Sequence, residues 1–236
     1  LENLGYTTTL VPVKSQGDLT IDVPLYEMGI TGVFTKVLDV AMLQGHIDIA
    51  VHSMKDVPTM LPKGIVKGAV LERANVQDVL VHKGNLDFLS MAEATIATGS
   101  LRRKAQWLRR YPTHSVENLR GNIATRLRKL QEQPWQGAIF AAAALERLQH
   151  DNLQTLTLDW MTPAPAQGAI MAVALANDTY ALEALAQINS PKADTETDIE
   201  RRFLKRLEGG CTAPIGARAT LEGEQICFVG NLFSLD

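Results

Sequence analysis

Strand-like apolar runs alternate with segments of helical period from one end of this chain to the other. A sequence that keeps switching between period 2 and period 3.6 has to layer helices on sheets, so an α/β fold is expected. Strands are predicted over residues 7–13, 47–51, 78–82, 95–98, 138–142 and 169–174, with an antiparallel pair at 213–221 and 225–233 around Glu222-Gly223. The run 47–51 is short and apolar apart from Asp48, which is read as the pattern of a buried parallel strand. Helices are predicted over 34–44, 101–110, 123–131, 180–188 and 194–207. Polar 72–77, the stretch 161–167 stiffened by Pro163 and Pro165, and Asn189-Ser190-Pro191 punctuate this pattern. They divide the chain into a first lobe (1–72 and 165–188), a second lobe (75–162) and a small α+β tail domain (191–236). Two crossings between the lobes imply a hinge with a cleft.

Composition narrows the class. Of 236 residues, 46% are apolar and 21% charged, which excludes a disordered tail, a collagen-like fibre or a disulfide scaffold. No apolar run reaches the ~18–20 residues of a membrane helix. Two cysteines, Cys211 and Cys227, are too few for a disulfide framework and make a reducing compartment the default. Leu1 is no initiator and Asp236 follows an apolar strand, so the sequence reads as a fragment at both ends.

The net charge of −3 conceals a sharp asymmetry. Residues 98–130 hold Arg102, Arg103, Lys104, Arg109, Arg110, Arg120, Arg126, Arg128 and Lys129 against Glu117 alone, leaving −11 for the remainder. Ser100 is placed to cap a helix whose first turn then contains Arg102 and Arg103, and Gly121-Asn122 opens a second helix flanked by Arg120 and Arg126. A helix N-terminus disfavours cations by roughly 0.3–1 kcal/mol, so this placement makes sense where an anion is held. The preference for arginine over lysine points to bidentate recognition of carboxylate or phosphate. A long nucleic acid fits poorly, because only Trp107 and Tyr111 offer stacking surface and the acidic remainder repels a polyanion. A small, multiply charged acid fits better.

Two loops carry candidate chemistry. Asp56 follows the strand 47–51 within His52-Ser53-Met54-Lys55-Asp56-Val57-Pro58, where α/β sheets place ligands. His52 reads as structural, and no His or Cys set at ligand spacing suggests a metal. Cys211 sits in Gly209-Gly210-Cys211-Thr212-Ala213-Pro214, a loop that can hold a thiol where a covalent partner reaches it or bury it at a helix end. A helix C-terminus disfavours a thiolate, which argues against a protease-type nucleophile. Cys227, in an alternating strand, reads as core.

Together these stretches resemble the porphobilinogen deaminase (hydroxymethylbilane synthase) family: VHSMKDVP at 51–58, GSLRR at 99–103, LRGNIATRL at 119–127, AQGA at 166–169 and ERRFLKRLEGGCTAPIG at 200–216, in family order. The resemblance implies two periplasmic-binding-protein-like (type II) lobes and a small C-terminal domain. It further implies a dipyrromethane joined by a thioether to Cys211, and a transferase that condenses four porphobilinogen molecules head to tail with loss of ammonia to give hydroxymethylbilane for heme biosynthesis. Asp56 matches the family's catalytic aspartate, which steadies cationic pyrrole intermediates. Lys55, Ser100, Arg102, Arg103, Arg120 and Gly121 are expected to hold the cofactor, and Arg126, Arg147, Thr98, Phe34, Ser53 and Gln167 the substrate. By the same resemblance the protein is a cytoplasmic monomer with no nucleic-acid or membrane partner. Phe34 and Lys36 match the family, whereas Glu27 and Thr31 stand where lysines are common, and the C-terminal domain stops early at Asp236. A two-lobed anion-binding module without chemistry explains the hinge and arginines but leaves the Gly-Gly-Cys loop without a use; a nucleic-acid binder ranks third.

Overall fold

The computed structural model describes residues 1–13, 35–149, 152–207 and 213–234. Helix α1 (Lys36–Leu43) leads into β1 (Ile49–Ser53), a short 3-10 turn (Met54–Asp56) and β2 (Ile65–Val70). The chain then crosses to a second sheet through β3 (Asp78–His82), β4 (Thr95–Ala97), α2 (Leu101–Arg110), β5 (Ser115–Glu117), α3 (Ile123–Glu132), β6 (Gly137–Ala141), α4 (Ala142–Arg147) and β7 (Thr155–Thr157). It returns as β8 (Ile170–Leu175) and α5 (Thr179–Ala186), and closes with α6 (Pro191–Arg206) and the hairpin β9 (Ile215–Glu222) and β10 (Gln225–Leu232).

The first lobe is built on a three-stranded sheet, β1-β8-β2, antiparallel throughout. Alternation along β8 sends Met171 and Val173 toward Met42, Met54 and Val57, and Ala172 and Ala174 toward Ala181 and Leu185 of α5. The second lobe has a five-stranded mixed sheet, β5-β4-β6-β3-β7, with β4 parallel to β5 and β6. Its central strand β6 is buried on both faces. Val81, Ala138 and Phe140 pack with Leu130 and Leu145 on one side, while Leu80, Ile96 and Ile139 pack with Trp107 on the other.

Three expectations are corrected. The strand 47–51 runs antiparallel to β8, and only Ala50 and His52 of β1 are buried while Val51 is 61% exposed, because among the described residues β1 ends the sheet order. Residues 7–13 form no strand, since no described strand takes their backbone groups. Cys227 is exposed: β10 alternates, yet the described residues leave its side chains open to solvent.

The two crossings between lobes run side by side. Gly168, at φ +83°, is one place where glycine is required, because a Cβ would lie 2.6 Å from the Ala74 carbonyl of the other crossing. Helix α6 fastens both crossings. Its buried Glu200 accepts two hydrogen bonds of 2.8 Å from Arg73 of the first crossing, one of 2.6 Å from the Ala166 amide of the second, and one of 2.8 Å from the Ala219 amide of β9. A buried carboxylate is tolerable when its oxygens are satisfied in this way. Ala166 itself stands at φ +61°, a left-handed conformation that costs an alanine on the order of 1–3 kcal/mol and persists where surroundings over-determine it.

Candidate active site

Two aspartates organise the site. Asp78 opens β3 from a stretch that reads Asp-Val-Leu-Val, so its carboxylate is carried into the core. Arg102 and Arg103, in the first turn of α2, meet it there. Arg102 Nη1 donates to Oδ2 at 2.7 Å, and Arg103 donates to Oδ1 through Nε at 3.0 Å and Nη2 at 2.7 Å. Gln167, from the second crossing, donates to the same Oδ1 at 2.9 Å and to the Val76 carbonyl at 2.7 Å. Burial pushes the Asp78 carboxyl up, but the two guanidinium groups and these hydrogen bonds outweigh it and hold it well below the usual carboxylate range. Arg102, Arg103 and Gln167 are thus buried struts, with Arg102 3% and Gln167 1% exposed. Arg103 also donates to the Ile139 carbonyl at 3.1 Å, and Arg102 to that of Thr162 at 2.6 Å.

Asp56 has different surroundings. It sits on the 3-10 turn after β1, whose buried Met54 pegs it to the first-lobe core and whose Met54 amide donates to the Ala169 carbonyl at 3.0 Å. Protein surrounds Lys55 and Asp56, yet both keep intermediate solvent exposure. Among the described residues none donates a hydrogen bond to the Asp56 carboxylate. Burial raises its pKa, and the charges of Lys55, Arg126, Arg103 and His52 oppose that rise. Burial lowers Lys55 to about 8, against the pull of Asp56. His52 is 8% exposed, and burial lowers it against Asp39 and Asp56.

Arg126, from α3, is close enough to Asp56 for each to act on the other's charge. Asn122 caps that helix, its Oδ1 accepting from the Thr125 amide at 2.8 Å, and Gly121 at φ +109° admits the tight entry, since a Cβ there would lie 2.8 Å from Thr125 Cγ2. Arg126 Nε donates to the Gly121 carbonyl at 2.6 Å, which orients the guanidinium; among the described residues no partner takes its two terminal nitrogens. Burial, Arg103 and Arg120 bring its pKa down to about 10, with Asp56 pulling the other way. Arg120 is buried, and that burial lowers its pKa.

The remaining predicted residues scatter. Ser100 is the N-cap of α2, accepting from the Arg103 amide at 3.4 Å, and buried Thr98 accepts from the Ser100 amide at 3.3 Å. Ser53 ends β1, exposed, and Arg147 is exposed in the last turn of α4. Phe34 and Cys211 lie outside the described residues. No group of His, Cys, Asp or Glu among the described residues could hold a metal, and no described helix is long and apolar enough to cross a membrane. The sequence reading missed Asp78, Arg73 and Glu200. For Asp78 a signal existed, an acid leading a run otherwise destined for the core.

The fold is that of a two-lobed α/β protein whose first-lobe turn carries an open carboxylate under the charges of Lys55, Arg126 and Arg103. Comparison with known proteins specifies its family. Residues 1–183 match the family model described as porphobilinogen deaminase, dipyromethane cofactor binding domain, and residues 195–236 match that of the porphobilinogen deaminase C-terminal domain. The porphobilinogen deaminase of Desulfitobacterium hafniense is 43% identical over 230 residues, covering 96% of this chain and 75% of the relative. Those of Moorella thermoacetica and Syntrophotalea carbinolica are 41% and 38% identical over 235 residues, covering 98% of this chain and 75% of each relative. Among solved structures, the VFT2 domain of Bordetella pertussis BvgS gives a TM-score of 0.42 at 14% identity, covering 71% of this chain and 72% of that one. The chain belongs to the porphobilinogen deaminase family, and with it to the enzymes of tetrapyrrole biosynthesis.

Proposed function

We propose that this chain condenses four porphobilinogen molecules head to tail into hydroxymethylbilane, with Asp56 as the catalytic carboxylate and Cys211 as the thioether anchor of a dipyrromethane. The observation that carries this reading is the Asp56 carboxylate itself, free of hydrogen bonds from the described residues and facing Lys55, Arg126 and Arg103. Pyrroles bearing acetate and propionate groups present N–H donors and a fringe of carboxylates. An open acceptor amid cations is the complement of such a molecule. When bound, a dipyrromethane supplies the free pyrrole α-carbon at which each unit is joined, one C–C bond forming and one C–N bond breaking as ammonia and a proton leave.

Asp56 accepts the pyrrole N–H of porphobilinogen and opposes the positive charge that grows on the ring as its aminomethyl C–N bond breaks. That role requires the ionised form. The cations around it counter the effect of burial, which by itself favours the protonated acid. Lys55 and the terminal nitrogens of Arg126 bind the substrate's carboxylates directly. Arg102 and Arg103 are engaged by Asp78 and act through their field from beneath the crevice floor. Arg120, Ser100, Thr98 and Gly121 shape the second-lobe wall, and Gln167 braces it through the crossing. On the same family reading the enzyme works as a cytoplasmic monomer, without nucleic acid or membrane.

Intact-mass spectrometry tests the proposal. The purified protein is expected to exceed its sequence mass by a two-pyrrole adduct and to colour with Ehrlich's reagent, and Cys211→Ser is expected to abolish both. An unmodified wild type that turns over porphobilinogen refutes the anchor. Reversible carboxylate binding with no adduct and no turnover refutes the enzyme.

A further inference from the structure

We infer that Arg201 is a positioning residue for the reaction: from the C-terminal domain it clamps the backbone on both sides of Asp56 and sets where that carboxylate stands. The inference rests on the reading of Asp56 as the catalytic carboxylate. Arg201 lies on α6, half-buried, and spends its guanidinium on neutral carbonyls. Nη1 donates to the Met54 carbonyl at 3.2 Å and to that of Val57 at 2.9 Å, and Nη2 to that of Pro58 at 2.6 Å. These acceptors bracket Lys55 and Asp56 on either side. Among the described residues no carboxylate lies within ion-pair distance of this guanidinium, unlike its neighbour Arg202, which pairs with Asp198 at 2.8 Å.

Met54 and Val57 anchor the ends of the turn in the first-lobe core, and the Met54 amide bonds to Ala169, but within the turn little holds Lys55 and Asp56. It is a single 3-10 turn without a side-chain cap, closed by one bond of 3.2 Å from the Val57 amide to the Met54 carbonyl. A 3-10 turn has poor hydrogen-bond geometry and depends on its surroundings. A planar fork with several fixed donors can hold three carbonyls in one arrangement, which a single ammonium cannot. The adjacent residue, Glu200, locks the same helix to both crossings. Helix α6 therefore sets the carboxylate turn and the hinge from neighbouring positions, and it ends at Arg206, shortly before Cys211 in the sequence. The segment that leads to the anchor and the turn that bears the acid are referred to one rigid element.

A misplacement of about 1 Å in a catalytic group can cost on the order of 10²-fold in rate. Arg201→Ala is accordingly expected to lower kcat for porphobilinogen on the order of 10²-fold, leave KM within about twofold because the binding cations are untouched, and speed amide exchange at Lys55, Asp56 and Val57. Arg201→Lys is expected to recover part of the lost kcat. A role as domain glue alone predicts a lower melting temperature with kcat and exchange at the turn unchanged below it, and that result overturns the inference. Asp56→Asn run alongside separates the two readings: if it keeps full kcat, the assignment of Asp56 fails, whereas if it is crippled and Arg201→Ala is not, the clamp alone fails. Should Arg201→Ala not fold, Arg201→Gln, which keeps one donor nitrogen and part of the stem's packing, decides by the same measurements.

Discussion

Asp78 and Asp56 lie within the influence of the same arginine, Arg103, and the protein treats them in opposite ways. Every approach to Asp78 is taken by Arg102, Arg103 or Gln167, and its proton is held off across the whole working pH range. Asp56 feels Arg103 only as a field, receives no hydrogen bond from the described residues, and has its affinity for a proton raised by burial. A carboxylate saturated by the fold has nothing left for a ligand, and in one left open burial works against charges that do not touch it. The two are linked, because Asp78 fixes Arg103, one of the charges that oppose protonation of Asp56.

The most severe way to break this pairing is Asp78→Ala. It strands two buried guanidinium groups, and removing one partner from a buried ionic cluster typically costs about 3–5 kcal/mol, a large share of the ~5–15 kcal/mol that holds a domain together. Urea unfolding should show a midpoint collapse, and a loss below about 1 kcal/mol would mean the cluster is not what ties α2 to β3. Because the folded Asp78 pKa lies below its ordinary 3.8, its contribution is complete above that value and disappears as pH falls through the folded pKa. Wild type should therefore lose stability in acid more steeply than the variant.

Asp56→Asn probes the open member. It is nearly isosteric and removes a charge with no hydrogen-bonded partner among the described residues, so the fold should survive. Stripping a preorganised electrostatic stabiliser costs about 10²–10³-fold in kcat, about 2.7–4 kcal/mol. Steady-state assays on the folded variant check this, and full turnover would remove Asp56 from the mechanism.

How far the sequence announced this contrast differs between its two halves. Local signals were readable: 78–82 and 101–110 coincide with β3 and α2, and the capping residues Ser100 and Asn122 stand where their side chains accept first-turn amides. Cations at the start of a helix signalled an anion, and one such anion proves to be the protein's own Asp78, brought from 24 residues upstream. Gln167 reaches it from 89 residues away. Nothing local encodes such pairings, nor the antiparallel direction of β1 against β8. Period 2 in β10 likewise could not say whether any layer covers Cys227. The loop 51–58 stood out by motif, but the bonds that Arg201 makes to its backbone depend on helix α6 docking from the far end of the chain.

The gentlest perturbation sharpens the contrast most, because it turns on sign. Lys55 lies beside Asp56 with its pKa lowered by burial to about 8, from an ordinary 10.5. As pH rises through about 8 the folded protein loses this charge, and KM for a carboxylate-bearing substrate should climb roughly tenfold, about 1.4 kcal/mol. Stability should move the other way. Between about 8 and 10.5 the unfolded chain holds a proton on Lys55 that the folded chain has released, so this group makes unfolding harder as pH increases. Affinity falling while Lys55's contribution to stability rises is a combination that a surface lysine gaining an ion pair cannot give, since its folded pKa would be raised and both quantities would decline together. Lys55→Gln should raise KM at neutral pH, flatten its dependence above about pH 8 and remove the matching slope in a pH series of urea midpoints. If the variant's KM keeps the wild-type pH profile, the titrating cation beside Asp56 is another group, and the opposition to burial at Asp56 falls to Arg126, Arg103 and His52.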